Sequence, residues 1–147
     1  MQVRVATSDD GSQIIEMLKE FMVFEKADLL TDSEFNDMFR TVISQPDKTL
    51  FLIAETEGKA VGMTTMVFRF STWQGKPIVT IDDVYVREEA RHRGVAVALL
   101  NYAFEVAKGL GCARVDLITE IDNYPAQELY KKMGFTLVPR IPFTRSL

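Results

Sequence analysis

Residues 81–110 read IDDVYVREEARHRGVAVALLNYAFEVAKGL, and the rest of the chain is organised around them. The first six residues are mostly β-branched or aromatic and surround a pair of carboxylates, which is typical of a strand. The basic turn RHRGVA follows at residues 91–96. Apolar residues then recur at i, i+3 and i+4 spacing, which predicts a buried helix. Its predicted apolar positions are Ala96, Leu99, Leu100, Ala103, Val106, Ala107 and Leu110.

The turn has the chemistry of an anion-binding site. Gly94 and Ala96 leave the first backbone N–H groups of the helix unshielded, at the positive end of the helix dipole. Arg91, His92 and Arg93 add further donors. A diphosphate would use several of these donors at once, so it is a better candidate than a lone carboxylate. An ordinary strand-to-helix turn with solvated arginines is the alternative, because short Gly and Arg patterns are weak motifs.

Length and composition limit the possible functions. A chain of 147 residues predicts a single domain over residues 1–147. A net charge of −4 disfavours nucleic acid as a partner, because phosphate backbones require a basic surface. The single cysteine, Cys112, excludes an intrachain disulfide and a multi-cysteine metal site, and we expect no metal. No apolar run is long enough to cross a membrane, so no membrane partner and a cytoplasmic location are expected.

Two amphipathic helices are predicted in the first third of the chain. Ser8 and Asp9 are expected to cap the first helix, and Thr31 with Glu34 forms a capping box for the second. The predicted bounds are an edge strand over 2–6, a first helix that runs out at 24–27, and a second helix that stops before Pro46. The loop between the helices carries Glu25 and further carboxylates, which suits a cationic amine, although a solvated loop explains them equally well.

Strands dominate the middle of the chain. Residues 49–55, 60–70 and 78–86 are expected to form an antiparallel meander, with residues 58–59 as its first hairpin turn. Trp73 lies in the second connection. It is expected to anchor that loop against the body of the protein, and the alternative is that it lines a neighbouring site.

The C-terminal third contains a second motif, DNYPAQELYKKMGF, at residues 122–135. Pro125 suits the first turn of a helix and Gly134 its C-cap, while Asn123 and Tyr130 share one face. The helical crossover predicts that a strand over 113–119 lies parallel to its predecessor. The closing residues 135–147 are expected to add a strand, and Pro139 and Pro142 should keep it near an edge.

The two motifs resemble the signatures of the Gcn5-related N-acetyltransferases. RHRGVA is similar to R/Q-x-x-G-x-G/A, and residues 122–135 are similar to D-N-x-x-A-x-x-x-Y-x-K-x-G-F. The resemblance implies the α/β fold of the acyl-CoA N-acyltransferases: a mixed, mostly antiparallel sheet with flanking helices, in which two parallel strands splay apart to admit acetyl-CoA. Residues 73–76, WQGK, and 81–86, IDDVYV, resemble the diamine (spermidine/spermine) acetyltransferase branch, except that Asp82 replaces a glutamate and the spacing is one residue longer.

The resemblance also implies roles for individual residues. Asp82 would be the general base and Tyr130 the general acid, while Glu25, Asp83 and Trp73 would contact the amine. Alternation along a strand turns Asp82 and Asp83 to opposite sides unless a bulge intervenes, and an ion pair between Asp82 and an arginine is the structural alternative. The residues implied to bind acetyl-CoA are Val84, Tyr85, Val86, Arg91, His92, Arg93, Gly94, Val95, Ala96, Val97, Asn123 and Tyr130.

Three functions are consistent with these features. The leading one is an N-acetyltransferase that transfers the acetyl group of acetyl-CoA to a small or polyamine-like primary amine by direct attack. The second is acetylation of a protein lysine or N-terminus. The third is a non-catalytic acyl-CoA-binding sensor, which the combination of Tyr130 and an acidic central strand disfavours. A homodimer is expected from the apolar C-terminal segment, and the family resemblance implies the same oligomeric state.

Overall fold

One mixed sheet of five strands forms the centre of the computed structural model, which describes residues 1–147. Its strands lie in sequence order, and only the last pair, β4 and β5, is parallel. The elements are β1 (Gln2–Val5), α1 (Gly11–Phe24), α2 (Asp32–Ser44), β2 (Thr49–Thr56), β3 (Lys59–Ser71), β4 (Lys76–Val86), α3 (Val95–Gly109), β5 (Val115–Leu117) and α4 (Tyr124–Lys132). The predicted fold class, including the antiparallel meander and the parallel pair, is confirmed.

Helices cover both faces of the sheet because side chains alternate along each strand. Leu52 belongs to the core beneath α3, whereas its neighbours Phe51 and Ile53 belong to the core beneath α1 and α2. Helix α3 buries Val95, and Ala96 is only partly covered. Leu110 is 54% exposed because it follows the last helical residue, so its predicted place in the core was wrong.

The N-terminus of α1 is capped differently from the prediction. Thr7, not Ser8 or Asp9, begins a short 3-10 turn, and the Asp10 carboxylate accepts a hydrogen bond of 2.6 Å from the Thr7 N–H. The buried Asp10 also accepts two hydrogen bonds of 2.8 Å from Arg4, which ties the turn to β1. Asp10 is also the N-cap residue of α1, but its side chain caps no N–H of that helix, so neither Ser8 nor Asp9 has the predicted role.

Three other predicted local signals are present. Thr31 and Glu34 form the capping box of α2, with hydrogen bonds of 2.7 and 3.3 Å between side chain and backbone. Pro125 lies in the first turn of α4. Gly134, at φ +90°, follows the C-cap residue Met133 and closes a Schellman motif with its own N–H and that of the next residue. None of the helices combines the length and hydropathy that a membrane span requires.

The parallel pair separates soon after it forms. Ladder pairing joins residues 79–81 of β4 to 115–117 of β5 and then ends, so β5 is shorter than predicted. Beyond this point β4 is paired only with β3, and a register shift there leaves Asp82 as an extra residue between the pairs Met66–Ile81 and Thr65–Asp83. This β-bulge lies beside the opening between the strands.

Two predictions about exposed segments were wrong. Residues 135–147 form no strand, because β5 offers only a short edge and Pro139 and Pro142 lack the N–H groups that a ladder needs. Trp73 is 97% exposed and anchors nothing. Its loop is closed instead by hydrogen bonds of 2.8 and 3.3 Å from the N–H groups of Gly75 and Gln74 to Ser71.

Candidate functional site

A cavity of about 610 Å³ occupies the opening between the parted strands. It is bounded by the second half of β4, the turn before α3, the segment after β5, one side of α4 and the C-terminal end of α1. Its location is that of a ligand site in a sheet whose strands diverge, since the divergence exposes backbone and creates a crevice. Most of the residues predicted to form a site line this cavity.

The turn before α3 is built to receive an anion. Gly94, at φ +78°, precedes the helix without a side-chain cap, and a Cβ placed there meets no atom within 4 Å. The N–H groups of Val95, Ala96 and Val97 have no acceptor within the protein. His92, at φ +60°, also lies in the left-handed region and lines the cavity. The open space over Gly94 and the free donors therefore fit a diphosphate.

Arg91 contributes to the same end of the cavity, whereas Arg93 does not line it. The Arg91 Nε donates a hydrogen bond of 3.1 Å to the Val86 carbonyl, and its guanidinium lies 5.2 Å from the centre of the Phe24 ring. Its terminal nitrogens form no hydrogen bond within the protein. Arg91 is thus oriented by the protein and still has donors for a phosphate oxygen.

Asp82 lines the cavity and Asp83 does not. Asp82 is exposed to solvent on one side, and its partial desolvation against the cavity wall, followed by the charge of Asp83, raises its pKa above the usual value. Asp82 forms no ion pair, so the alternative of a structural pairing with an arginine is not what the structure shows. The backbone carbonyl of Asp83 accepts a hydrogen bond of 2.6 Å from the Thr64 hydroxyl, which fixes the strand beside the bulge.

Val84 and Val86 line the cavity, but Tyr85 between them faces the other side of the sheet. The Tyr85 hydroxyl donates a hydrogen bond of 3.0 Å to Glu20, and burial with this bond raises the pKa of Tyr85 to about 12. Only the backbone of Tyr85 is therefore available to a ligand in the cavity.

Helix α4 presents Asn123 and Tyr130 to the cavity. The Asn123 Oδ1 accepts a hydrogen bond of 3.3 Å from the Ala126 N–H, so this side chain caps the helix and keeps its amide N–H₂ free. The Tyr130 ring packs edge-on against Phe135 at 5.8 Å, and its hydroxyl has no hydrogen bond within the protein. Burial raises the pKa of Tyr130, so the phenol keeps its proton at neutral pH.

The acidic side of the cavity was only partly anticipated. Glu25, at the end of α1, lines it as predicted, whereas Trp73 does not. Glu120 and its neighbour Thr119 also line it, and sequence reasoning missed both. They lie just beyond β5, which ends at Leu117; Thr119 was assigned to the predicted strand over 113–119, and no motif marked Glu120. Three carboxylates, those of Glu25, Asp82 and Glu120, thus share a cavity with the basic turn.

Comparison with known proteins agrees with this geometry. The sequence pattern of the acetyltransferase (GNAT) family matches residues 12–135. An uncharacterized N-acetyltransferase of Methanocaldococcus jannaschii, MJ1207, is 29% identical over 135 residues, which are 90% of this chain and 59% of that protein. The thialysine N-epsilon-acetyltransferase of Bos taurus is 27% identical over 149 residues, covering 91% of this chain and 83% of that protein.

The solved structures add evidence on the fold. The structure of AAC(6')-Iy in complex with the bisubstrate analog CoA-S-monomethyl-acetylneamine matches with a TM-score of 0.86 at 21% identity, over 99% of this chain and 97% of that one. A likeness at this identity shows a common fold. The family pattern, by contrast, spans most of the chain and includes the turn and α4. The chain therefore belongs to the acetyltransferase (GNAT) family, a family of acetyl-CoA-dependent N-acetyltransferases.

Proposed function

We propose that this protein transfers the acetyl group of acetyl-CoA to a primary amine of a small molecule that carries more than one positive charge. The amine attacks directly, with Asp82 as general base and Tyr130 as general acid. The observation that carries the proposal is one cavity that joins an anion-binding turn, an unpaired carboxylate and a free phenol. Direct transfer needs these three groups together, because it binds a phosphorylated donor and moves two protons.

Bound acetyl-CoA supplies a thioester that an amine can attack. The N–H groups of Val95, Ala96 and Val97, with the guanidinium of Arg91, would hold its diphosphate. The backbone of β4 from Val84 to Val86 has an edge without a neighbouring strand and would pair with the amides of the pantetheine arm. The free amide of Asn123 would donate a further hydrogen bond. His92 and the exposed Arg93 add positive charge at the mouth of the site.

Asp82 would remove the proton that blocks the reaction. An alkylammonium has a pKa of about 10.4 and cannot attack a carbonyl until it is deprotonated. Partial desolvation and the neighbouring charge of Asp83 raise the pKa of Asp82, which makes it a stronger base than an ordinary aspartate, and no arginine or lysine forms an ion pair with it. The carboxylate would act on the amine itself or on an intervening water.

Tyr130 would return a proton on the other side of the reaction. The departing thiolate belongs to a thiol whose pKa is about 8.5, and a neutral phenol can donate a hydrogen bond and then its proton. The raised pKa of Tyr130 keeps the phenol protonated, and its hydroxyl is unpaired within the protein. The same group therefore needs no rearrangement before it acts.

The charges of the cavity support a cationic acceptor. Glu25, Asp82 and Glu120 contribute three carboxylates, and Asp82 uses its charge as the base. Glu25 and Glu120 would remain to hold a second positive group of the acceptor. The name of the Bos taurus relative, a thialysine acetyltransferase, supports an acceptor with an amino group at the end of a short chain.

The test is a panel of acceptors with acetyl-CoA, in which release of free thiol is measured. Diamines, triamines, lysine analogues and peptides with a free lysine or N-terminus would be compared with uncharged amines. We expect the highest kcat/KM for a small diamine or polyamine. Preference for peptides would instead identify a protein acetyltransferase, and tight acetyl-CoA binding without turnover of any amine would identify a sensor.

A second copy of the chain is the partner we propose for the C-terminal segment. Five of the last 11 residues are large, apolar and at least 60% exposed: Leu137, Val138, Ile141, Phe143 and Leu147. The outer edge of β5 has no partner strand, and Ile118 just beyond it is 76% exposed. Pairing between two copies would cover these side chains and complete the sheet. Each copy, residues 1–147, would be a single domain.

A further inference from the structure

A small network of polar side chains joins α1 to the end of β4, on the face of the sheet opposite α3. The side chain of Arg87 is only 6% exposed, and its Nη2 donates a hydrogen bond of 2.5 Å to Glu16. The Arg87 Nε lies 3.3 Å from Glu20, which is an ion pair without the geometry of a hydrogen bond. The same Glu20 oxygen accepts the hydrogen bond of 3.0 Å from the Tyr85 hydroxyl. Glu16 and Glu20, one helical turn apart, thus contact Tyr85 in β4 and Arg87 just after it.

This network is specific because its members have few other partners. A buried guanidinium is strongly destabilising when its carboxylates are removed, since an uncompensated charge is left behind. The Tyr85 ring also packs against Phe21 of α1, with 5.5 Å between the ring centres. Glu20 is the shared member, because it contacts both Arg87 and Tyr85. Glu20 is therefore the one α1 side chain that holds both residues, while Glu16 and Phe21 each contact one of them.

The next turn of α1 forms a wall of the cavity. Phe21, Phe24 and Glu25 line it, within five residues of Glu20. On the cavity side, Arg91 contacts the Phe24 ring. The residues of β4 beside this wall have no neighbouring strand on the β5 side, so β3 is the only strand that pairs with them, and α1 contacts them through Tyr85. A shift of α1 would move Phe24 and Glu25 relative to Asp82.

We propose that Glu20 is a positioning residue for the amine acceptor. Glu20 does not line the cavity. It acts through Tyr85 and Arg87 by fixing the position of α1 along β4. The segment that leads into the anion-binding turn is held by hydrogen bonds of 2.9 Å from the Ala90 N–H to the Arg87 carbonyl and 3.1 Å from the Arg91 Nε to the Val86 carbonyl, and neither involves Glu20. Loss of Glu20 should therefore weaken use of the amine and leave acetyl-CoA binding intact. This inference rests on the proposed function for its substrate and on the network for its geometry.

Three substitutions test the network and two serve as controls. Glu20→Ala removes both contacts, Glu20→Gln keeps an oxygen that can accept from Tyr85, and Tyr85→Phe removes only the hydroxyl. Glu105→Gln makes the same chemical change as Glu20→Gln, but on α3, where Glu105 is exposed and forms no ion pair. Asp10→Asn lowers stability through a network that does not line the cavity, so it separates lost stability from lost positioning.

We expect Glu20→Ala to lower kcat/KM for the amine by about 10- to 100-fold, mostly through KM, because small misplacements of a binding wall are costly. Glu20→Gln and Tyr85→Phe should show smaller losses. The Kd of acetyl-CoA should change by less than about twofold in all three, since none touches the turn. If Glu20→Ala behaves like Asp10→Asn, with a lower Tm and an unchanged amine KM, the proposal is wrong.

Amide hydrogen exchange provides a readout without any substrate. Exchange over residues 20–25 should accelerate in Glu20→Ala and Tyr85→Phe relative to Glu105→Gln, because that turn of α1 loses its attachment. Unchanged exchange there overturns the proposal whatever the activity. If the wild-type protein acetylates no amine, the proposed function fails, and the exchange measurement still decides whether Glu20 positions α1.

Discussion

Removal of the Tyr130 hydroxyl is the sharpest test of the chemistry. Tyr130→Phe keeps the ring and its edge-on contact with Phe135, which is worth about 0.5–1.5 kcal/mol. The hydroxyl has no hydrogen bond within the protein, so none of the roughly 1 kcal/mol of such a bond is lost. The free energy of unfolding should therefore change by less than about 0.5 kcal/mol.

Turnover should respond very differently. A single proton donor to a moderately good leaving group contributes about ten- to a thousand-fold in rate, which corresponds to about 1.4 to 4 kcal/mol of activation free energy. We expect kcat to fall within this range, while the Kd of acetyl-CoA barely changes because the diphosphate site is intact. The pH profile should also lose its alkaline limb, since the raised pKa of Tyr130 sets where the phenol deprotonates.

The assay is thiol release at saturating amine, with Tyr102→Phe as the matched control. Tyr102 is half-buried on α3 and does not line the cavity, so its variant should retain full activity. Turnover of Tyr130→Phe within about twofold of the wild type would refute the reasoning. The thiolate would then leave unaided, and Tyr130 would be only a wall of the site.

Four further predictions follow from the structure. Asp82→Asn should slow turnover at neutral pH and less at high pH, where free amine is abundant; a silent Asp82→Asn with a crippling Asp83→Asn would reverse the two roles. Gly94→Val should lose acetyl-CoA affinity by calorimetry, because its side chain occupies the open space over the turn and a φ of +78° is strained for a β-branched residue, which also lowers the free energy of unfolding; undiminished affinity in the folded variant would exclude the turn as the site. Asp10→Asn should lower the free energy of unfolding at pH 7 by about 2 kcal/mol, because Arg4 lowers the pKa of Asp10 from 3.8 to about 2. That stability is complete above pH 4 and is lost as the pH falls toward 2, so urea unfolding of the two proteins should converge there; a constant difference would contradict the assignment. Light scattering should show a dimer at micromolar concentration. A monomer would contradict the proposed pairing of the C-terminal segments of two copies.

Local signals in the sequence were sufficient for much of the site. The turn and α3 could be predicted because Gly94 and the apolar spacing that follows it act within a few residues. The α2 capping box and the Schellman end of α4 are equally local. Alternation along the strand predicts that Asp82 and Asp83 face opposite sides of the sheet, and only Asp82 lines the cavity. The structure also has a β-bulge at Asp82, which no local pattern in the sequence indicates.

The predictions that failed depend on distant partners. The end of β5 is set by where β4 diverges from it, so pattern alone could not separate Thr119 from the strand. An apolar segment becomes a strand only if an edge accepts it, and within one copy β5 offers residues 135–147 an edge of only 3 residues. The contact of Arg87 with Glu16 and Glu20 joins residues about 70 positions apart, and no local rule connects them.

The missing neighbour of β4 has a consequence for the lifetime of the protein. In the proposed complex the pantetheine arm of acetyl-CoA would pair with the part of β4 that has no neighbouring strand, so the ligand would stabilise the folded sheet in proportion to its occupancy. At 100 times its Kd, a ligand of the native state adds about 2.7 kcal/mol to the free energy of unfolding. Proteolysis of the open form would slow by about 100-fold under the same conditions. The abundance of this protein in a cell should therefore follow the supply of acetyl-CoA, independently of how often the enzyme turns over.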